Sequence, residues 1–233
     1  MNKQLGAALQ SGDWDKLPHE LKLCLEPDDL GKLLAASMLP ADDCKHRKVW
    51  LFDTKAHDLA HAGLTLRLRK KKKGGDFTAK VRPVKPERIV GRWLTARTLE
   101  VEADVVGKKR VLSASVTRDL APGKVVESAD ETLRDGLLTP LQRQMLADLS
   151  ATELPLGSLR RTEPAEARVW HSGQLVIEFW ELPNRGEALE ISTCVTGHKL
   201  ALTRAWLESM LEKAGVREAK EQATKSQRLL KTL

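Results

Sequence analysis

Tyrosine is absent from the 233 residues, phenylalanine occurs three times, and aromatic residues make up 4% of the chain. With so few rings for bases to stack on, the composition disfavours single-stranded nucleic acid as a partner. Cysteine is scarce as well. Cys24, Cys44 and Cys194 are odd in number, widely spaced and form no CxxC pair, which argues against a disulfide scaffold and a zinc ribbon. No apolar run approaches the roughly 18 residues of a membrane span, and residues 1–15 lack a basic-then-apolar signal. Neither GxxxxGK[ST] nor GxGxxG occurs, so phosphate binding through a P-loop or a Rossmann turn is excluded. The expectation is a reduced, cytoplasmic chain without a membrane partner.

What is present is charge, unevenly spread. The chain carries a net +7. Between Arg67 and Arg92 stand eleven Lys or Arg against two acids, Asp76 and Glu87, so this stretch alone carries +9 and the remainder −2. A local excess of that size implies an anionic partner such as phosphate, nucleic acid or an acidic surface.

Much of the chain alternates with period two, the signature of strands with one apolar and one polar face. Leu21, Leu23 and Leu25 alternate with Glu20, Lys22 and Cys24; Leu64, Leu66 and Leu68 with Thr65, Arg67 and Arg69. Phe77, Ala79 and Val81 alternate with Thr78, Lys80 and Arg82; Leu99, Val101 and Ala103 with Glu100, Glu102 and Asp104. The pattern recurs over 112–116, 175–180 and 189–192. Lys73-Gly74-Gly75-Asp76 reads as a hairpin turn, and the sheet as antiparallel. Three helices are predicted. Asp28–Leu39 lies between Pro27 and Pro40, and a second opens at the capping box Thr139-Pro140-Leu141-Gln142 and runs to about Leu149. The third, His198–Ala214, places Leu200, Trp206, Leu207, Met210, Leu211 and Ala214 on one apolar arc. Residues 85–94 read as a loop and 217–233 as a polar tail in which a helix is one option.

A polar sheet face normally just meets water. Here the signs are sorted by strand, with bases at 67, 69, 80 and 82 and acids at 100, 102 and 190. A merely solubilising surface mixes signs for cross-strand pairing. Arg67 and Arg69 project on one side of a strand about 6.6 Å apart, a spacing at which guanidinium groups clamp neighbouring phosphates. Glu100 and Glu102 are spaced likewise, and carboxylates are the ligands Mg²⁺ or Mn²⁺ prefers.

Several fragments in order resemble a CYTH domain, the fold of the triphosphate tunnel metalloenzymes: His19-Glu20-Leu21-Lys22-Leu23, Leu51-Phe52-Asp53-Thr54, residues 62–69, Phe77-Thr78-Ala79-Lys80-Val81-Arg82, Glu100-Val101-Glu102, residues 186–193, and Thr224-Lys225-Ser226. The resemblance implies a single α+β domain over 1–233 (core about 17–230), an eight-stranded antiparallel β tunnel with a charged interior and flanking helices. It implies a metal-dependent phosphohydrolase for inorganic triphosphate or another triphosphorylated compound. Arg67, Arg69, Lys80, Arg82 and Lys225 would bind a small-molecule triphosphate or polyphosphate, and Glu20, Glu100, Glu102 and Glu190 would hold the Mg²⁺ or Mn²⁺. Glu20, Lys22, Glu100 and Glu102 would serve catalysis. Pro18 stands where the family has its first glutamate and Cys194 where it often has lysine, so a non-catalytic polyphosphate or nucleotide sensor, or an adenylate cyclase of the same fold, are the alternatives.

Other signals carry less. His57-Asp58-Leu59-Ala60-His61 mimics a zinc-protease motif, but only a short turn fits before the next strand. Residues 69–73 read as a basic hairpin tip that keeps a strand edge unpaired. Ser113 and Ser115 read as wall residues, and Trp206 and Met210 as helix core. The facing of Glu178 and Arg168 is open.

Overall fold

The computed structural model describes residues 2–125, 136, 138–150 and 156–233. The strands are β1 (Pro18–Leu25), β2 (Lys45–Asp53), β3 (Leu64–Lys70), β4 (Gly75–Val81), β5 (Leu99–Val106) and β6 (Lys109–Leu120). They continue with the two-residue β7 (Arg160–Arg161), β8 (Ala165–Ser172), β9 (Leu175–Glu181) and β10 (Glu187–Thr196). Among the described residues nine of them close into a ring in the order β3-β4-β6-β5-β1-β10-β9-β8-β2 and back to β3, with β7 added to the end of β2. Closure removes the free edges that would otherwise invite pairing with another chain.

The architecture is α+β, but two expectations are corrected. The ring has nine strands rather than eight, and it is mixed: β1 runs parallel to β5, with Glu20 beside Asp104 and Lys22 beside Val106. Period-two alternation specifies which face a side chain takes and is silent about strand partners, so the parallel pair left no local trace. The β3–β4 hairpin also turns slightly earlier than predicted. Lys70 pairs with Gly75 and Lys71 N–H donates to Gly74 O at 2.9 Å, with Gly74 at φ +76°, where a glycine is needed.

The barrel wears most of its apolar core on the outside. Leu64, Leu66, Leu68, Phe77, Val101 and Val116 pack under α5 (Pro140–Ser150) through Met145, Leu146 and Leu149. The predicted capping box is present, Gln142 N–H donating to Thr139 Oγ1 and Thr139 N–H to Gln142 Oε1. Its preceding elements are α1 (Asn2–Ser11), α2 (Leu30–Ala36), α3 (Asp58–His61) and α4 (Arg92–Thr95). On the opposite side Leu21, Leu23, Ile177, Phe179 and Ile191 pack under α2 and α6 (Gly197–Lys213) through Leu33, Leu34, Leu207 and Leu211. Trp206 does not join them. It is 53% exposed, because a helix that buries Leu207 and Leu211 turns the residue before Leu207 about 100° away.

A third apolar cluster lies inside. Val49 and Leu51 of β2, Ala165 and Ala167 of β8, Trp180 of β9 and Ala188 of β10 enclose Leu229 and Leu230 of α7 (Lys225–Leu230). The tail predicted to be polar ends in this short helix, which enters the barrel and stoppers one end of it. Thr224 and Gln227 close its N-terminus as a reciprocal capping box.

Candidate functional site

With Leu66 and Leu68 under the helices, strand pleating sends Arg67 and Arg69 into the lumen. The same parity, carried across the registered pairs, brings Lys80, Glu100, Glu102, Asp104, Glu20, Lys22, Glu190 and Glu178 to the interior. Arg168 pairs with Phe179 on the outside instead, its guanidinium 4.7 Å from the Phe179 ring centroid. Glu178 therefore faces inward and Arg168 outward.

Three acids converge on one side. Glu20, Glu102 and Asp104 each present an oxygen within 4.8 Å of the others. Asp104 is fully buried and gathers Lys80 Nζ at 3.0 Å, Arg82 Nη1 at 3.3 Å and Lys22 Nζ at 3.9 Å. Lys80 also reaches Glu102 at 3.0 Å and Lys22 reaches Glu20 at 2.5 Å. Burial drives the Glu102 carboxyl above its ordinary pKa, and the neighbouring Glu20 and Asp104 add to the rise while Lys80 opposes it. Burial pushes Glu20 upward too, but Lys22 and Lys80 outweigh it and hold the carboxyl below its ordinary value.

The opposite wall is basic. Arg69 Nε donates to Asp76 at 2.8 Å, and Lys71 reaches the same carboxylate at 2.6 Å. Arg67 has no carboxylate within 4.0 Å among the described residues. It donates only a 3.5 Å hydrogen bond to Thr78 Oγ1, and its buried Nε has no acceptor. Burial, followed by the like charge of Arg69, pushes its pKa down to about 10. A guanidinium whose buried Nε is unpaired and that contacts no carboxylate is costly, and the natural remedy is an anion from outside.

A third group sits beside the stopper helix. Lys225 of α7 hydrogen-bonds Glu190 and lies 3.4 Å from Glu178, with its ammonium 5.7 Å from the Trp180 ring centroid. Burial lowers the Lys225 pKa, but Glu178 and Glu190 overcome it and raise the net value. Burial likewise raises Glu178, and Lys225 with a hydrogen bond from Trp180 brings it down to about 2.

Of the residues expected from the sequence, Glu20, Lys22, Glu102, Lys80 and Arg82 thus form one ionic cluster. Arg67 and Arg69 line the basic wall. Glu100 lies outside the triad near Ser115 Oγ at 3.5 Å, and Glu190 is engaged with Lys225. Two interior groups were not singled out. Asp104 continues the Glu100-x-Glu102 alternation, a signal available in the sequence. Arg47 faces inward from β2, with Val49 opposite Arg69 in the register, and had no signal because no strand was expected there.

No protein-family model matches the chain, and no curated protein does. Solved structures do. A protein from Hippeastrum, a candidate adenylyl cyclase with a dominant triphosphatase activity, is 18% identical with a TM-score of 0.61, over 91% of this chain and 94% of its own. A candidate adenylate cyclase from Bacillus halodurans is 17% identical with a TM-score of 0.62, over 90% and 95%. This chain has a CYTH-type fold. A third CYTH-type neighbour, a candidate adenylate cyclase from Vibrio parahaemolyticus, is 13% identical with a TM-score of 0.50. At these identities the likeness is one of fold, and the chemistry of this CYTH-type tunnel rests on its own residues. No helix among the described residues is long and apolar enough to cross a membrane.

Proposed function

We propose that the tunnel is the active centre of a metal-dependent hydrolase acting on inorganic triphosphate or another triphosphorylated compound. The observation that carries this reading is Arg67, a buried guanidinium without a carboxylate, facing a lumen whose other wall crowds three carboxylates together. A guanidinium that no carboxylate among the described residues contacts, in one channel with three carboxylates close enough to share a cation, calls for a ligand that brings both an anion and a metal ion. The dominant triphosphatase activity of the Hippeastrum neighbour agrees with it.

The donor set fits a hard divalent ion such as Mg²⁺ or Mn²⁺: carboxylate oxygens only, close enough to share one ion. Glu20, Glu102 and Asp104 would hold it, with Glu100 further along β5. Asp104 makes good the carboxylate that Pro18 removes from the first strand. Bound there, a divalent ion supplies positive charge to phosphate oxygens and lowers the pKa of a water. The chain's own contribution is positional and electrostatic. Arg67 and Arg69 would grip the phosphates, and Lys80 and Arg82 would meet the charge that builds on the equatorial oxygens during transfer. Lys22, held by Glu20, would fix that carboxylate's direction. Lys225 would close the inner end of the site from α7.

A phosphate-release assay across triphosphorylated compounds, with Mg²⁺ and Mn²⁺ in turn, tests the reading. Orthophosphate should appear, and Glu102→Gln combined with Asp104→Asn should cut its rate by about 100-fold or more. Undiminished turnover in that double variant would refute the assignment. Thermal stabilisation by triphosphate without release under either metal would mark a binding protein instead.

A further inference from the structure

Lys80 reaches its acids by an unusual route. It stands on β4, while Glu102 and Asp104 stand on β5, and β6 lies between them. Two strand spacings amount to about 9.6 Å, and only a long, extended side chain spans them. The strand it crosses is cleared for the passage: the interior residues of β6 there are Ser113 and Ser115, opposite Glu102 and Lys80 respectively. With that reach Lys80 Nζ lies 3.0 Å from Glu102 and 3.0 Å from Asp104, two of the three carboxylates that form the cage.

The charge count of that cage is balanced as it stands, with Glu20, Glu102 and Asp104 facing Lys22, Lys80 and Arg82. A divalent ion entering beside all three bases would leave two uncompensated positive charges in a buried site, a costly arrangement. One base must leave. Lys22 is anchored from the acids' own side, on β1, at 2.5 Å from Glu20 and within the field of Glu190. Arg82 touches only the Asp104 carboxylate, at 3.3 Å. Lys22 also lies 3.9 Å from Asp104, but from the acids' own side; Lys80 holds its two carboxylates from across the serine wall, and its own strand neighbours the strand of Arg67.

We propose that Lys80 is an exchangeable counter-ion: its ammonium holds the carboxylate cage until a divalent ion displaces it, and swings back toward the β3–β4 wall to meet the phosphate. Metal loading therefore creates both a bound cation and a released one, and metal and triphosphate bind cooperatively for a reason beyond the ion's own bridging. The idea rests on the site reading above, and its test separates the two.

Calorimetric titration of the full chain with Mn²⁺, in the absence of triphosphate, reads the exchange directly. Lys80→Met removes the competitor, so Mn²⁺ should bind about tenfold more tightly than to the wild type. Triphosphate affinity at saturating Mn²⁺ should fall by about tenfold in the same variant. Equal or weaker Mn²⁺ binding by Lys80→Met overturns the proposal. If Mn²⁺ tightens as expected but neither protein binds triphosphate, the exchange stands and the triphosphate reading fails. If triphosphate binds the wild type while Mn²⁺ affinity is indifferent to the substitution, the reverse holds. Lys80→Gln repeats the measurement with a polar side chain should the methionine misfold. In wild-type protein carrying ¹³C at the lysine ε carbons, Mg²⁺ alone should shift a lysine ε resonance, and a spectrum unmoved at saturation counts against the exchange.

Discussion

Arg67 and Glu178 are the two interior residues whose surroundings make opposite demands. No carboxylate among the described residues contacts Arg67, and Asp76, Glu178 and Glu20 act on it only at longer range, so Arg67→Ala should leave stability nearly unchanged or raise it, while weakening triphosphate binding by about 10- to 100-fold, the worth of a charged hydrogen bond. Denaturant unfolding and calorimetry on one protein preparation check both halves. A large loss of stability would mean that the guanidinium already has a partner. Glu178 is the converse. Its pKa is held at about 2, below the usual 4.5, by Lys225 and Trp180 despite burial. A depressed carboxyl contributes stability above its unfolded pKa and loses it as pH falls. The gap between wild type and Glu178→Gln should thus be full at pH 7, on the order of 3 kcal/mol, shrink below about 4.5 and vanish near 2. A gap that persists unchanged at pH 2 would show that the charge of Glu178 is not its source.

At the scale of elements, α7 is the piece whose role differs most from its composition. A six-residue helix is too short to be stable alone, and it persists because Leu229, fully buried, enters the interior cluster beside Val49, Leu51 and Trp180. Leu229→Ala should cost about 2–5 kcal/mol, readable as a lower denaturant midpoint with little change in slope. A cost below about 1 kcal/mol would show that the helix rests loosely in the barrel mouth. The same cluster explains which strands the sequence concealed. Across β3, β4 and β5 the lumen is polar and the outside apolar, so alternation is plain. In β2 the run Val49-Trp50-Leu51-Phe52 is buried throughout, Val49 and Leu51 against α7 and Trp50 and Phe52 against the outer core. A strand buried on both faces loses its period-two signal. β8 differs: Ala165 and Ala167 point inward while Glu166 and Arg168 do not share their burial, so its apolar face opens on two small alanines and gives a weak signal.

For the whole molecule, a closed barrel lined with unlike charges trades stability for readiness to bind. Stability should therefore depend on ligand. Mn²⁺ with triphosphate should raise the melting temperature in proportion to the logarithm of concentration above the dissociation constant, and a chelator should return it to the metal-free value. A melting temperature indifferent to both would remove the ground for an interior binding site.

Composition, charge sorting and alternation by themselves determined that the chain forms a half-polar β sheet with helices on its apolar face. They also marked Arg67, Arg69, Lys80, Glu100 and Glu102 as groups addressed to an anion and a cation, because a strand fixes the facing of its own side chains. Only the tertiary structure decided that nine strands close, that β1 lies parallel to β5 and so brings Asp104 beside Glu20, and that a polar tail ends in the helix stoppering the lumen. Partners across a sheet are chosen by closure and by burial summed over the whole chain, and no local run of residues carries that sum.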